Sequence, residues 1–118
     1  MKGIRFKPDM IKWIQEGIKS TTFRRTRRDG LYQIVKGSWY KPVGLGIFVY
    51  CKPLSRITRP ELILKWYSTE GDFKTPEEFV EWLQKNKLYK KLPEKGWLNK
   101  VDLEIKIPSV ERQNEQNV

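Results

Sequence analysis

The chain has 118 residues with one cysteine and no histidine, and 24 Lys+Arg against 14 Asp+Glu leave it at +10. Without histidine, and with Cys51 alone, the commonest zinc sites, the Ser-His-Asp and Cys-His nucleophile systems and any internal disulfide are excluded; proton-transfer chemistry falls to Lys, Tyr, Asp or Glu. The charge is also lopsided: residues 1–59 hold 14 Lys+Arg and 3 Asp+Glu while residues 60–118 hold 10 and 11, so the halves carry +11 and −1, and a basic half points to a polyanionic partner.

The length suits one domain with a modest core, expected over residues 1–108, and the polar stretch 109–118 is expected to be a disordered tail. Lys2, Arg5 and Lys7 interrupt the N-terminus, and no apolar run reaches membrane-spanning length. A cytoplasmic protein with no membrane partner is expected.

Residues 2–7 alternate Ile4 and Phe6 with basic residues, a short strand. Pro8-Asp9 opens a helix to about Glu16, with Met10, Ile11 and Ile14 as its apolar stripe and Gly17 as a left-handed cap. Ser20–Arg25 is β-branched and aromatic, a strand, and Tyr32–Val35 is another before the turn signal Gly37-Ser38. Ile47–Cys51 is a continuous apolar run, a strand buried on both sides or tightly curved. Pro53 and Pro60 bracket a connector that supports a short helix or strand, and Glu70-Gly71-Asp72 marks a turn.

Thr75-Pro76-Glu77-Glu78 is a helix start with a capping box, and Phe79, Trp82 and Leu83 form the buried face that follows. Residues 88–96 are polar and lysine-rich, a loop. Val101, Leu103, Ile105 and Ile107 alternate with polar residues in a last strand ended by Pro108. The pattern predicts an α+β fold, a small, mostly antiparallel β-barrel with two main helices.

The densest chemistry lies in Gly17–Arg28, GIKSTTFRRTRR. Arg24, Arg25, Arg27 and Arg28 have only Asp29 as a nearby acid, so they suit phosphate. Lys41 beside Trp39 and Tyr40 is a further nucleic-acid candidate, the two aromatics stacking a base or filling core or rim. From the residues alone, Lys19 is a phosphate contact, a solvated cation or a base. Thr22 is a strand residue with good β propensity, and Glu70 a turn carboxylate or a partner for Arg24.

Gly17-Ile18-Lys19-Ser20-Thr21-Thr22-Phe23-Arg24, following a short helix and opening a strand, resembles the G-x-K-x-x-[TE]-x-R signature of the ASCH domain family. Glu70-Gly71-Asp72-Phe73 leading into Thr75–Phe79 is similar to that family's acidic turn and second helix, and Gly37-Ser38 departs from a frequent Gly-Asp. The resemblance implies a PUA-like β-barrel with a cleft facing nucleic acid. The K-x-x-T-x-R spacing is closest to the small N4-acetylcytidine amidohydrolases. By position, that resemblance implies Lys19, Thr22 and Glu70 as catalytic residues, Arg24 as the arginine closing the motif, RNA, other single-stranded nucleic acid or a modified nucleoside as partner, and no metal or cofactor.

Amide cleavage without histidine asks much of Lys19, since stripping the proton from an ordinary lysine at pH 7 costs about 4.6 kcal/mol. Burial and a neighbouring cation are the means available. Lys19 and Thr22 are three apart, so they meet only if Lys19 lies in the turn before the strand or the strand is bulged. A non-catalytic RNA-binding module using the same basic cleft, or a metal-independent ribonuclease using Lys19 and Glu70, fits the same residues.

Overall fold

A computed structural model describes residues 2–36, 41–42 and 46–104. Six strands, β1 (Lys2–Arg5), β2 (Thr21–Arg24), β3 (Gly30–Lys36), β4 (Lys41–Pro42), β5 (Phe48–Thr58) and β6 (Lys95–Glu104), form one sheet. Five follow the order β1-β3-β5-β6-β2, and β4 pairs with β3. The β1–β3 pair is parallel and the other pairs are antiparallel. Among the described residues the sheet is open and the expected barrel is not closed: β1 and β2 are the two ends of the path and share no ladder.

Among the described residues four α-helices, α1 (Pro8–Gln15), α2 (Arg59–Lys65), α3 (Tyr67–Glu70) and α4 (Pro76–Lys85), accompany the sheet, with a 3-10 turn at Tyr89–Lys91. The two expected helices are α1 and α4. The others sit where a connector, a turn and a loop are predicted. None of the described helices is long and apolar enough to cross a membrane.

Helix α1 starts at Pro8, whose missing N–H costs nothing in a first turn, with Asp9 near the positive end of the dipole. It ends on Gly17 at φ 77°. The Gly17 N–H donates to the Ile14 carbonyl at 3.1 Å and the Ile18 N–H to the Trp13 carbonyl at 2.8 Å, which satisfies two last-turn carbonyls and throws the chain into β2. The capping box expected at Thr75 is half formed. Thr75 accepts from the Glu78 N–H, while the Glu78 carboxylate takes the Lys74 N–H instead. A complete box stands at Thr58 and Glu61, opening α2.

Strand β5 runs straight through Pro53, because the register with β6 slips between Pro53 and Ser55 and leaves Leu54 as a bulge. A bulge is where a strand tolerates a proline that cannot donate to the ladder. Opposite it, Leu98 and Asn99 on β6 are both buried, a break in the alternation. Two buried clusters result. Ile4, Phe6, Ile14, Ile34, Val49 and Cys51 belong to one with α1, and Phe23, Ile57, Leu62, Phe79, Leu83 and Leu98 to the other with α2 and α4. Trp13 on α1 reaches across to the second, its ring 5.4 Å from Phe73 and 5.6 Å from Trp82.

Candidate active site

Lys19 lies in the turn between α1 and β2. Its N–H is also tied to the Trp13 carbonyl at 3.0 Å, so the Gly17 cap sets its direction. The next residues are stitched to α3: the Ser20 N–H donates to the Thr69 carbonyl at 2.9 Å, and the hydroxyls of Thr21 and Thr69 are 2.6 Å apart. The Thr69 hydroxyl donates to the Trp66 carbonyl, so Thr21 is the donor to Thr69. This stitching carries Glu70, the last residue of α3 rather than a turn residue, to Lys19 across 51 positions of sequence.

Lys19 Nζ donates to Glu70 Oε2 at 2.5 Å and to the Glu70 carbonyl at 3.2 Å, with both side chains almost wholly buried. The carboxylate therefore pairs with Lys19 and not with Arg24. Burial holds the Lys19 ammonium below its ordinary value; Glu70 opposes that and Arg24 adds a smaller downward push. The second carboxylate oxygen, Glu70 Oε1, is buried and without a hydrogen-bond partner among the described residues. Beyond Glu70 the chain passes so close to α1 that a Cβ at Gly71 would lie 2.6 Å from the rings of Trp13 and Phe73.

In β2, alternation turns Thr22 and Arg24 to one face and Phe23 to the other, where it joins the second cluster. Arg24 Nε donates to Thr22 Oγ1 at 3.0 Å, and its Nη2 reaches the Arg5 carbonyl on β1. Phe6 supports both cations: its ring centre is 5.7 Å from Lys19 Nζ and 4.9 Å from the Arg24 guanidinium. Burial and Arg28 pull Arg24 down to about 10, with Glu70 opposing. Thr22 is buried, so the Arg24 contact supplies a donor that solvent cannot.

Lys19, Thr22, Arg24 and Glu70 line one cleft of about 1200 Å³. Its other walls include Phe6, Pro8 and Ile11 from the β1–α1 side, and Phe79, Leu83 and Leu92 from the α4 side. Lys19 in the turn is what lets it share this cleft with Thr22, as the spacing argument requires. Comparison with family models, curated proteins and solved structures returned no match to this chain. The chemistry of the site therefore rests on its own geometry. Among the described residues no three of His, Cys, Asp and Glu gather into a possible metal site.

Arg25 also lines the cleft, and Arg27 and Arg28 continue past it along the loop to β3. Asn99, fully buried on β6, fastens that loop: its amide accepts from the Arg28 N–H at 2.8 Å and donates toward the Thr26 and Thr22 carbonyls at 3.5 and 3.3 Å. Sequence reasoning misses Asn99, Phe6 and Thr69. The one signal for Asn99 is that it follows Leu98 as a second inward residue, visible only once the β5 bulge is known. The stacking candidates Trp39 and Tyr40 lie outside the described residues, as do the Lys41 side chain and the tail.

Proposed function

We propose that this chain is an amidohydrolase of the ASCH type that removes the acyl group from N4-acylated cytosine, with Thr22 as nucleophile and Lys19 as base. The observation that carries the reading is the placement of Thr22, Arg24 and the buried Lys19–Glu70 pair on a single cleft. Burial, with the Arg24 cation beside it, disfavours the charged form of Lys19 against the pull of Glu70, and as a free amine its Nζ is a base.

Thr22 Oγ attacks the acyl carbonyl carbon and its proton passes to Lys19. Arg24, already bonded to Thr22 Oγ1, stabilises the negative oxygen that develops. The C–N bond then breaks, the base leaves as its N4 amine with the proton from Lys19, and the acyl group stays on Thr22 as an ester. Water gives a proton to Lys19 and attacks the ester. The Thr22 oxygen takes that proton back on leaving, so one amide and one water become one acid and one amine. Glu70 lines the cleft, and its buried Oε1, without a hydrogen-bond partner among the described residues, is the acceptor proposed for the exocyclic N–H of the base once the bound substrate reaches it.

The test is hydrolysis of N4-acetylcytidine, free and within RNA, followed by separation of cytidine from the acetylated form. Thr22→Val and Lys19→Met are expected to lower kcat/KM by at least ~10³, the scale for losing a nucleophile or its base. A folded protein without turnover, or a Thr22→Val variant as fast as the parent, removes the reading.

A further inference from the structure

We propose that a second groove, lined by none of the cleft residues, docks an acidic, amphipathic segment of a partner protein, whose apolar side chains enter between α2 and α4 while its carboxylates meet the lysines of residues 85–95. This docking is independent of the reaction above.

Pro60, Ile63 and Leu64 of α2, Val80 of α4 and Tyr89 of the 3-10 turn line the groove together with Arg59 and Glu94, around a space of about 420 Å³. That lies within the roughly 300–1,000 Å³ that encloses a ligand, so it has room for the side chains of a docking segment. Leu64 is 67% exposed, more than any other large hydrophobic among the described residues. A single exposed leucine is ordinary, but this one borders a concavity whose other walls are mostly apolar. The walls are also fixed in place. The Arg59 N–H donates to the Glu94 carbonyl at 2.8 Å, the Arg59 guanidinium pairs with Glu94 at 2.9 Å and lies 5.6 Å from the Tyr89 ring centre, and the capping box at Thr58 and Glu61 sets the start of α2. A groove shaped in advance loses little to ordering when it is filled.

Charge decides the occupant. Lys85, Lys87, Lys90, Lys91 and Lys95 are all exposed, and none has an ion pair among the described residues, while Glu94, the one acid of this segment, is taken by Arg59. The same segment supplies Tyr89 and Glu94 to the groove, so free cations adjoin apolar walls. A polynucleotide would satisfy the lysines and leave Leu64, Ile63 and Val80 unmatched. A second copy would match the apolar walls and bring the same lysines, with +10 on each chain. A membrane takes apolar side chains that project, whereas Ile63, Val80 and Tyr89 are half-buried walls of a depression. A peptide with carboxylates flanking apolar side chains at helical spacing satisfies both the groove and the lysines.

The experiment is fluorescence anisotropy with three labelled peptides, each four repeats of Glu-Glu-Leu-Leu, Glu-Glu-Ser-Ser or Lys-Lys-Leu-Leu, at 50 and 200 mM salt. The Glu/Leu peptide is expected to bind, and the other two at least ~10-fold more weakly, since one lacks the apolar side chains and the other the carboxylates. Leu64→Ser should weaken binding of the Glu/Leu peptide at least ~10-fold, the scale for losing one buried leucine contact. Leu54→Ser removes a large hydrophobic of 47% exposure on β5, outside the groove, and should change binding less than about twofold. Lys87→Glu with Lys90→Glu should cost about tenfold at 50 mM salt and less at 200 mM, because salt screens exposed charges. No saturation below 1 mM peptide, equal binding of the Glu/Ser peptide, or equal losses from Leu64→Ser and Leu54→Ser overturns the proposal. Vesicles of phosphatidylserine and phosphatidylcholine that bind through Leu64, with no binding of the Glu/Leu peptide, assign the surface to a membrane and overturn it as well.

Discussion

Replacing Glu70 with Gln keeps the shape of the Lys19–Glu70 contact and deletes its charge. Lys19 is 2% exposed and Glu70 3%, so the lysine left behind has little water to fall back on. Removing one member of a buried pair costs about 3–5 kcal/mol. There is a ceiling at pH 7, since a stranded lysine can discard its proton, which costs about 5 kcal/mol from its ordinary value of 10.5. The sign follows from proton counting. The unfolded lysine stays charged up to about 10.5 and the folded one in the variant does not, so the unfolded state binds more protons and the variant gains stability as pH rises. The expected gain approaches about 1.4 kcal/mol per pH unit. Urea unfolding at pH 7 and pH 9 should therefore show a deficit against the parent that shrinks by about 2 kcal/mol or more. The double variant Lys19→Met with Glu70→Leu should cost less than Glu70→Gln alone, since no charge is left buried. A deficit below 1 kcal/mol at pH 7, or one unchanged at pH 9, would refute the view of a dry, mutually dependent pair.

Gly17→Ala forces a side chain into the left-handed region at φ 77°, where nothing else obstructs a Cβ; about 1–2 kcal/mol of stability should be lost, read as a lower thermal midpoint. Gly96→Ala should cost more, about 2–3 kcal/mol, because the new Cβ would lie 2.6 Å from the Arg24 carbonyl and 2.8 Å from the Phe23 ring; chemical denaturation measures it, and a loss smaller than that of Gly17→Ala would contradict the tight β2–β6 contact. Cys51 is buried and its thiol is pushed up to about 11 by burial, so at pH 8 a thiol reagent should modify native protein at least ~100-fold more slowly than protein in urea.

What local chemistry controls was legible in the chain. The α1 start at Pro8, its Gly17 cap, the α4 start at Thr75 and the alternation of β6 at Val101 and Leu103 all follow from rules that span a few residues. Pro53 misled, because a proline reads as an end to a strand and here sits beside the bulged Leu54. The expected barrel stays open because closure depends on where β1 and β2 end up in space, which no short pattern encodes. The site divides in the same way. That Lys19 precedes the strand could be read from Gly17, but its union with Glu70 depends on the Ser20 and Thr21 bonds to Thr69, made between segments about 50 residues apart. Asn99 was invisible for the same reason, an amide among lysines whose partners all belong to another strand or loop except the Trp97 carbonyl.

The bond from Arg24 to the Arg5 carbonyl joins the two outermost strands of the sheet path by one side chain where a ladder would otherwise run. The cleft is thus also a seam. Whatever occupies it bridges the margins of the sheet, and its binding free energy is added to the fold's resistance to unfolding. Arg24, a wall of that cleft, is the clasp that holds the two margins together.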